Sequence, residues 1–256
     1  MLQYRNREWL EGKYINEKLS TRQIAKLCNA NQCTIWKWLH KYNILVRSSS
    51  ESIHLAKANH CDLSQEAIEW INGELLGDGC LKLVSQYSAR FTYGSKYPEY
   101  IRYVKYTLKS FGIEEIGKIE EYYDKRFGCY SYNCCSRSYV ELLKIYKQWY
   151  PEGKKIIPKN LKLTPLTLRQ HYIGDGYLNK IGNSSIQLCT YGFTKLDVKN
   201  LLNKIIKLGI KAKVTTRNAI RIPSYSVKDF LNYIGDCPVE CYKYKWRTMK
   251  YASLPV

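Results

Sequence analysis

The sequence lacks any long run of apolar residues. Nothing in its 256 residues approaches the roughly 20 consecutive apolar residues of a membrane-spanning helix. The opening Met1-Leu2-Gln3-Tyr4-Arg5 also lacks the apolar core of a secretory signal. We therefore expect a protein without a membrane partner that resides in the cytoplasm, or in an organelle matrix if its gene is organellar.

Paired cysteine motifs are also absent. The ten cysteines are scattered, and no Cys-x-x-Cys pair occurs. Cys237 and Cys241 are close in sequence, but no second pair could complete a zinc site with them. We expect reduced, mostly buried thiols, as in a cytosolic protein, and neither disulfides nor zinc.

Acidic residues are few compared with basic ones. Asp and Glu number 22 against 41 Lys and Arg, which gives a formal charge of +19. Such a surplus on a folded protein indicates a polyanionic partner, usually nucleic acid. An anionic membrane surface would require a basic amphipathic helix or a hydrophobic anchor, and we find neither. Because 45% of the residues are hydrophobic and 24 are Tyr, we expect a packed core.

Residues 1–46 have the pattern of a small all-α domain. Ser20-Thr21-Arg22-Gln23 predicts a capping box at the start of one helix, and Asn29 falls where a turn needs a left-handed residue. A further helix carries Ile35 and Trp38 on its apolar face. This pattern resembles a helix-turn-helix, although a helical bundle without a partner remains the alternative. The candidate DNA contacts are Asn31, Gln32, Thr34 and Lys37.

The segment 47–61 is polar at its start and has no apolar periodicity, so we interpret it as a linker. The rest of the chain divides into a first repeat, 62–150, and a second repeat, 151–256. We expect the second repeat to include a strand pair on either side of Ile181-Gly182-Asn183.

The duplication is visible in matched segments. Gly77-Asp78-Gly79 recurs as Gly174-Asp175-Gly176, and the two aspartates are 97 positions apart (175 − 78). Phe111-Gly112-Ile113 and Leu208-Gly209-Ile210 keep the same offset, which falls to 88 in the last helix of each repeat. The pattern predicts an α+β fold in which one αββαββα unit is used twice, with pseudo-two-fold symmetry.

Each repeat is predicted to supply one carboxylate and one lysine. The offset of 88 carries Lys155 onto Lys243 (243 − 155), while Asp78 and Asp175 would meet at the ends of two paired helices. Two carboxylates a few ångströms apart repel each other, and a divalent metal relieves the conflict. Paired acids, metal ions and basic residues suit phosphodiester cleavage. The alternative is that Asp-Gly merely terminates each helix, but two copies with matched lysines favour a functional site.

These segments resemble the LAGLIDADG homing endonucleases, in their single-chain form with two repeats. The resemblance covers about residues 63–250 and extends beyond the two helix ends. It includes the run Lys154-Lys155-Ile156-Ile157-Pro158, then Leu163-Thr164-Pro165, and later Ile186-Gln187-Leu188-Cys189-Thr190 and Cys241-Tyr242-Lys243. Together these segments are highly specific for the family.

The resemblance implies an intron-homing type of endonuclease that makes a metal-dependent double-strand break with 3′ overhangs in a long DNA target. Asp78 and Asp175, with Gly77 and Gly174 beside them, would bind Mg²⁺, for which Mn²⁺ or Ca²⁺ could substitute in binding. Lys155 and Lys243 would support catalysis. The enzyme would act as a monomer that requires no protein partner.

The resemblance also implies that two saddle-shaped β-sheets bind double-stranded DNA. Polar positions on the predicted strands are the candidates for base contacts, since Arg and Gln read purine edges in the major groove. The alternative for any one of them is a solvated face with phosphate contacts. These candidates are Gln86, Ser88, Arg90, Thr92, Gln187, Lys211, Lys213, Thr215, Arg217 and Arg221.

The chain departs from the family pattern in two places. The helices that end at Asp78 and Asp175 are the motif helices, and Gln170 interrupts the small-residue face of the second one. The family often places a polar residue, commonly Gln, late in the first strand of each repeat. In this chain that residue is replaced by Ser95 or Lys96 in the first repeat and by Tyr191 in the second. Two other functions stay open at this point. One is a catalytically inactive DNA-binding regulator on the same fold, and the other is an intron maturase that binds RNA.

Overall fold

The computed structural model describes residues 2–125, 128–179 and 184–247. The expected turn at Ile181-Gly182-Asn183 therefore lies outside the described residues, as does the end of the chain from residue 248. The chain divides into two compact units, Met1–Ala58 and Asn59–Val256. Within the described ranges, no helix is long and apolar enough to cross a membrane.

The first unit is entirely helical. Its core is formed by residues such as Leu10, Ile24 and Leu39, which are fully buried. The elements are a 3₁₀ turn at Gln3–Arg5, α1 at Arg7–Glu11 with a π-helical turn at Gly12–Asn16, α2 at Thr21–Leu27, α3 at Gln32–Lys41 and α4 at Ser49–Lys57.

The connection between α2 and α3 has the local features predicted for it. Ser20 accepts a hydrogen bond from the Gln23 backbone N–H, and the Gln23 side chain accepts one from the Ser20 N–H, so the capping box is present. Asn29 adopts a left-handed conformation with φ of 48°. Ala25 is buried. These features let two short helices follow each other closely.

Helix α4 lies inside the segment 47–61, where we expected an aperiodic linker. That expectation is wrong for residues 49–57. Ser48 caps the helix by accepting a hydrogen bond from the Glu51 N–H, and no residue of α4 is buried. A helix that buries no side chain has no apolar stripe, which is why the sequence pattern did not predict it.

The second unit contains the αββαββα sequence of elements twice, as predicted. The first copy consists of α5 at Gln65–Leu76, β1 at Cys80–Ser85, β2 at Ser88–Ser95, α6 at Pro98–Ser110, β3 at Glu120–Asp124, β4 at Cys129–Cys135 and α7 at Val140–Trp149. The second copy consists of α8 at Pro165–Asp175, β5 at Gly176–Asn179, β6 at Ser185–Leu188, α9 at Lys195–Lys207, β7 at Lys213–Val214, β8 at Ile220–Ile222 and α10 at Ser224–Ile234.

Both copies form a four-stranded antiparallel sheet with the same topology. The strand orders are β1-β2-β4-β3 and β5-β6-β8-β7. The offset of 97 is kept at both ends of the intervening helix. Tyr97 and Thr194 precede α6 and α9, and Gly112 and Gly209 follow them with φ of 73° and 83°. The duplicated fold is thus preserved residue by residue in this part of each copy.

The helices cover one face of each sheet and form a continuous core with it. Trp70 of α5 contacts Phe91 of β2 at a ring-centroid distance of 5.9 Å, and both side chains are almost fully buried. Ile186 and Ile222 occupy the equivalent buried face of the second sheet. Because strand residues alternate between faces, the opposite face of each sheet presents the polar residues.

Four of the predicted strand residues lie elsewhere. Gln86 lies in the turn between β1 and β2, and Thr215 and Arg217 lie in the connection between β7 and β8. Lys211 precedes β7, which spans only two residues. Polar and apolar residues continue to alternate in the sequence through these hairpins, which is why these four residues were predicted to lie in strands. In the structure, the strands have not begun or have already ended at these positions.

All ten cysteines lie in the described part of the chain, where none is paired with another. Cys134 is the only one of them that is buried, and Cys33 is exposed. The expectation of mostly buried thiols is therefore wrong.

Candidate active site and nucleic-acid interface

The ends of α5 and α8 touch at a pair of glycines. A Cβ atom on Gly77 would lie 3.3 Å from the Cα of Gly174, and one on Gly174 would lie 3.2 Å from the Cα of Gly77. The two backbones therefore meet with no side chain between them. This contact places Asp78 and Asp175, the residues that follow, on either side of the same point.

The pKa values of both aspartates are raised. Burial raises the pKa of Asp78, while the charges of Lys245 and Lys155 act in the opposite direction. Burial and then the charge of Asp78 raise the pKa of Asp175 to about 6. Two carboxylates are thus held together at a cost, which is a feature of sites that bind cations.

Two lysines approach these helix ends. The Lys155 Nζ donates to the carbonyl oxygens of Gly77 and Gly79, at 3.2 and 2.9 Å. The Lys245 Nζ donates to three carbonyl oxygens at the end of α8, among them that of Ile173 at 2.5 Å. Each ammonium group therefore neutralises the negative end of one motif helix.

The lysine equivalent to Lys155 is Lys245, so the predicted equivalence of Lys155 and Lys243 is wrong. Lys243 is exposed and forms a surface ion pair with Glu240. Glu240–Lys245 is a 3₁₀ helix, whereas the residues around Lys155 are not helical. The connection to the lysine runs from Trp149 to Lys155 in the first copy and from Ile234 to Lys245 in the second, so it is longer in the second copy. The offset at the lysine is therefore 90 (245 − 155) and not 88.

The acids and lysines are arranged crosswise. Asp78 shares a cavity of about 760 Å³ with Gly174 and Lys245, and we call these three residues the Asp78 site. Asp175 shares a cavity of about 180 Å³ with Gly77 and Lys155, and we call these the Asp175 site. Each site therefore combines an acid from one repeat with a glycine from the other, which is the composition that a pseudo-two-fold axis requires.

The donor set at these sites fits a divalent cation that prefers oxygen. Each site offers a carboxylate and the backbone of a glycine, and the two lysines do not cancel the effect of burial and of Asp78 on Asp175, whose pKa stays raised. Among the described residues, no three His, Cys, Asp or Glu side chains cluster to hold a metal by themselves. A cation here would therefore need further oxygen ligands from water or from a bound phosphate.

A buried polar network lies behind the acids, and the sequence pattern did not predict it. The Glu74 carboxylate accepts hydrogen bonds from the Tyr100 hydroxyl at 2.6 Å and from the Gln170 amide at 2.8 Å. All three side chains are fully buried, and burial raises the pKa of Glu74 to about 8. Gln170, the residue that departs from the family pattern, thus links the two motif helices.

His171 occupies the position equivalent to Glu74, 97 residues later (171 − 74). It is fully buried, and neither ring nitrogen has a hydrogen-bond partner. Burial and then the charges of Lys155 and Lys245 lower its pKa to about 3. At this pair of equivalent positions, the second repeat therefore carries the neutral imidazole of His171 and the first carries the buried carboxyl group of Glu74.

Four polar or aromatic side chains form a row across the open face of the second sheet. Tyr177 pairs with Gln187, Gln187 with Arg221, and Arg221 with Lys213. Directly opposed residues of antiparallel strands share a face, so these side chains line up across all four strands. Three of the four were predicted from the sequence, and Tyr177 was not.

The open face of the first sheet is less uniform. Arg90 pairs with Lys82 of β1, so two basic side chains lie together near one end. Thr92 and Ser88 are on the same side by alternation, but Thr92 is buried and donates to the carbonyl oxygen of Cys80 at 3.4 Å. Glu120 pairs with Asn133 on β3 and β4 and brings an acidic group to this face as well. Lys82 was missed because β1 shows no regular alternation.

In the first unit, the candidate contacts on α3 have different surroundings. Asn31 caps α3 by accepting the Cys33 N–H, and Gln32 donates to the Thr21 hydroxyl. Lys37 is exposed, and Thr34 is half-buried. Trp36 lies on the exposed part of the helix, with 49% of its surface accessible.

The sequence of the second unit matches a known family model. The model of the LAGLIDADG DNA endonuclease family matches residues 68–230, which includes both motif helices and both sheets. The chain belongs to this family.

The chain is also similar to one further protein sequence and to two solved structures. The uncharacterized protein MJ1098 of Methanocaldococcus jannaschii is 30% identical over 225 residues, which cover 82% of each chain. The structure of the homing endonuclease I-WcaI bound to its DNA recognition sequence has a TM-score of 0.65 and 22% identity, and the match covers 81% of this chain and 97% of that one. The structure of I-DmoI in complex with DNA and Mn has a TM-score of 0.42 and 14% identity, and the match covers 65% and 97% of the two chains.

Proposed function

We propose that this LAGLIDADG protein is a site-specific DNA endonuclease that uses a divalent metal ion, Mg²⁺ in the first place, to cut both strands of a long target. It acts as a monomer and leaves 3′ overhangs. The observation that carries the proposal is the crosswise pair of sites, in which each acid is completed by a glycine and a lysine associated with the other helix. A helix that merely ended at Asp-Gly would not need a lysine that donates hydrogen bonds to the carbonyl oxygens at its end.

The residues of the two sites have separate tasks. Asp78 and Asp175, with the adjacent backbone of Gly77 and Gly174, would hold the metal ions, which stabilise the attacking and leaving oxygens of a phosphodiester. Lys155 and Lys245 supply positive charge where negative charge develops during the reaction. Burial lowers the pKa of both lysines, that of Lys245 to about 8, while the nearby acids act in the opposite direction.

The open sheet faces are the proposed DNA-binding surfaces. The row in the second sheet ends in Arg221 and Lys213, and the first sheet contributes Arg90 and Lys82. Arg and Gln can form paired hydrogen bonds with purine edges, and Lys contacts phosphates. The net charge of +19 adds attraction that does not depend on sequence.

The first unit is proposed to bind DNA as a helix-turn-helix and so to extend the contacted stretch. The exposed residues Trp36 and Lys37 of α3 would contribute most, because the side chains of Asn31 and Gln32 already have partners within the unit. Replacing both with alanine in the full chain should weaken DNA binding and leave the cut position unchanged. Unchanged affinity would show that this unit has another role.

Selection from a DNA library tests the main proposal. The protein would be incubated with Mg²⁺ and a library that contains random DNA and the DNA flanking its reading frame, and the cut ends would be sequenced. We expect one target, cut on both strands, with 3′ overhangs. Asp78→Asn and Asp175→Asn should abolish cutting while binding persists.

Two outcomes would replace the proposal with another function. Tight binding to one DNA sequence without cutting under any divalent metal would make the protein a DNA-binding regulator. Preference for a structured RNA over every DNA, together with promotion of splicing, would make it a maturase. Both measurements use the same purified full-length protein.

A further inference from the structure

The two acids differ in the side chains around them. The Tyr93 hydroxyl lies 3.5 Å from Oδ2 of Asp78 and donates a hydrogen bond to it. This distance is at the long limit for such a bond, and bonds of this kind often shorten when an active site is occupied. Among the described residues, no side chain donates to the carboxylate of Asp175.

The Tyr93 ring is held firmly in place. Only 3% of the residue is exposed. Its ring contacts Tyr100 at a centroid distance of 5.4 Å and stacks on Phe91 at 6.5 Å. A phenol fixed on both sides can direct its hydroxyl group without losing further conformational entropy.

The second repeat has no counterpart to this phenol. The offset of 97 carries Tyr93 onto Thr190, and both residues lie four positions before the residue that precedes the following helix, Tyr97 or Thr194. The Thr190 hydroxyl donates instead to the carbonyl oxygen of Asn218, at 2.6 Å. Thr190 is thus too short and is bonded elsewhere. Leu188, which pairs with Gly176 directly after the second acid, has no hydroxyl group either.

We propose that Tyr93 is a positioning residue for Asp78 and that the two sites of the proposed endonuclease are consequently unequal. The hydroxyl occupies one carboxylate oxygen, fixes the plane of the group and leaves the other oxygen for a cation. Hydrogen bonds to ligating carboxylates typically contribute a factor of about 10 to 100 in metal affinity or activity. The inference rests on the proposed function only for its activity measurement.

Metal binding by the free full-length protein tests the proposal without a DNA target. Mn²⁺ binding would be measured by calorimetry for the wild type, Y93F, D78N, D175N and the two double variants. We expect Y93F to weaken Mn²⁺ binding about tenfold in the wild type and in D175N, but to have no further effect in D78N. If Y93F weakened Mn²⁺ binding equally in D78N and in D175N, or did not weaken it in the wild type, the proposal would be overturned.

Y139F is the matched control. Tyr139 has the same 3% exposure, but its hydroxyl accepts the Glu114 N–H in another part of the first repeat. Loss of that hydroxyl should leave Mn²⁺ binding unchanged. Thermal unfolding of both variants would show that each remains folded, as expected when the ring is kept.

Cutting of the two DNA strands provides a second measurement. On a target with each strand labelled, the wild type should cut the strands at unequal rates, and Y93F should slow one strand about tenfold more than the other. Equal rates in the wild type would overturn the inequality of the sites, whatever the variants do. A wild type that neither binds Mn²⁺ nor cuts any target would instead contradict the proposed function itself.

Discussion

Gly73 of α5 packs directly against Gln170 of α8, and these two residues occupy equivalent positions in the two repeats. A Cβ atom on Gly73 would lie 2.8 Å from Gln170 Cβ and 2.6 Å from the Thr167 carbonyl oxygen. The Gln170 amide then reaches past the glycine to Glu74. One repeat therefore supplies a gap and the other fills it, so the interface is asymmetric despite the duplicated fold.

The first prediction concerns this contact. G73A forces a methyl group into a space that two atoms of α8 already occupy, and it should destabilise the protein by roughly 1–3 kcal/mol. It should also slow cutting, because the helix ends that carry the acids would separate. Denaturant unfolding measures the first effect. G12A is the control, since a Cβ atom on Gly12 of the first unit would meet no atom within 4 Å. Equal destabilisation by the two variants would contradict the argument.

The duplicated fold could be predicted from the sequence because the repeats keep their spacing wherever packing fixes the chain. Gly112 and Gly209 both end a helix in a left-handed conformation, and this requirement preserves the residue and its distance from the start of the repeat. The acids could be predicted for the same reason. Helix packing allows little variation in length between the motif and the following strands.

Features that depend on irregular segments or on buried polar partners could not be predicted in this way. Lys245 was missed because the loop before it changes length, and Glu74 was missed because a carboxylate in an apolar helix has no visible partner in the sequence. Tyr100 and Gln170 become its partners only through tertiary packing. Helix α4 was missed because it buries nothing.

The second prediction distinguishes Lys245 from Lys243. K245M should reduce cutting by a factor of about 100 or more, because it removes positive charge from the Asp78 site. K243M should leave cutting near the wild-type rate, since Lys243 is exposed and forms a surface ion pair with Glu240. Rates on the selected target measure both effects. A large loss in K243M with little change in K245M would restore the equivalence that the offset suggested.

The third prediction uses the raised pKa of Asp175. The pKa is about 6 in the folded protein, against an ordinary value of 3.8. The folded state therefore holds the proton more tightly than the unfolded state, and the metal-free protein loses stability as the pH rises from about 4 to about 6. D175N cannot ionise, so it should unfold at a higher temperature than the wild type at about pH 8, with no advantage at about pH 4.

The same titration should govern cutting, which requires an ionised Asp175, so the wild-type rate should rise through a pH of about 6. D236N is the control for the stability measurement, because Asp236 is an exposed carboxylate in the same repeat. A stability gain for D175N that did not depend on pH would show that packing, and not charge, is responsible.

The fourth prediction concerns the row across the second sheet. R221A removes a side chain that lies between Gln187 and Lys213 on the open face, and it should cost about 1–3 kcal/mol of DNA-binding free energy and relax the preference at one base pair. K213A should weaken binding to all sequences alike and lower the salt dependence by about one ion. The control is K199A, because Lys199 is exposed on α9 and lies outside the sheet. Binding titrations at several salt concentrations separate the three variants. If R221A lost affinity equally for every sequence, Arg221 would be a phosphate contact, and base recognition would have to lie elsewhere on the two sheets.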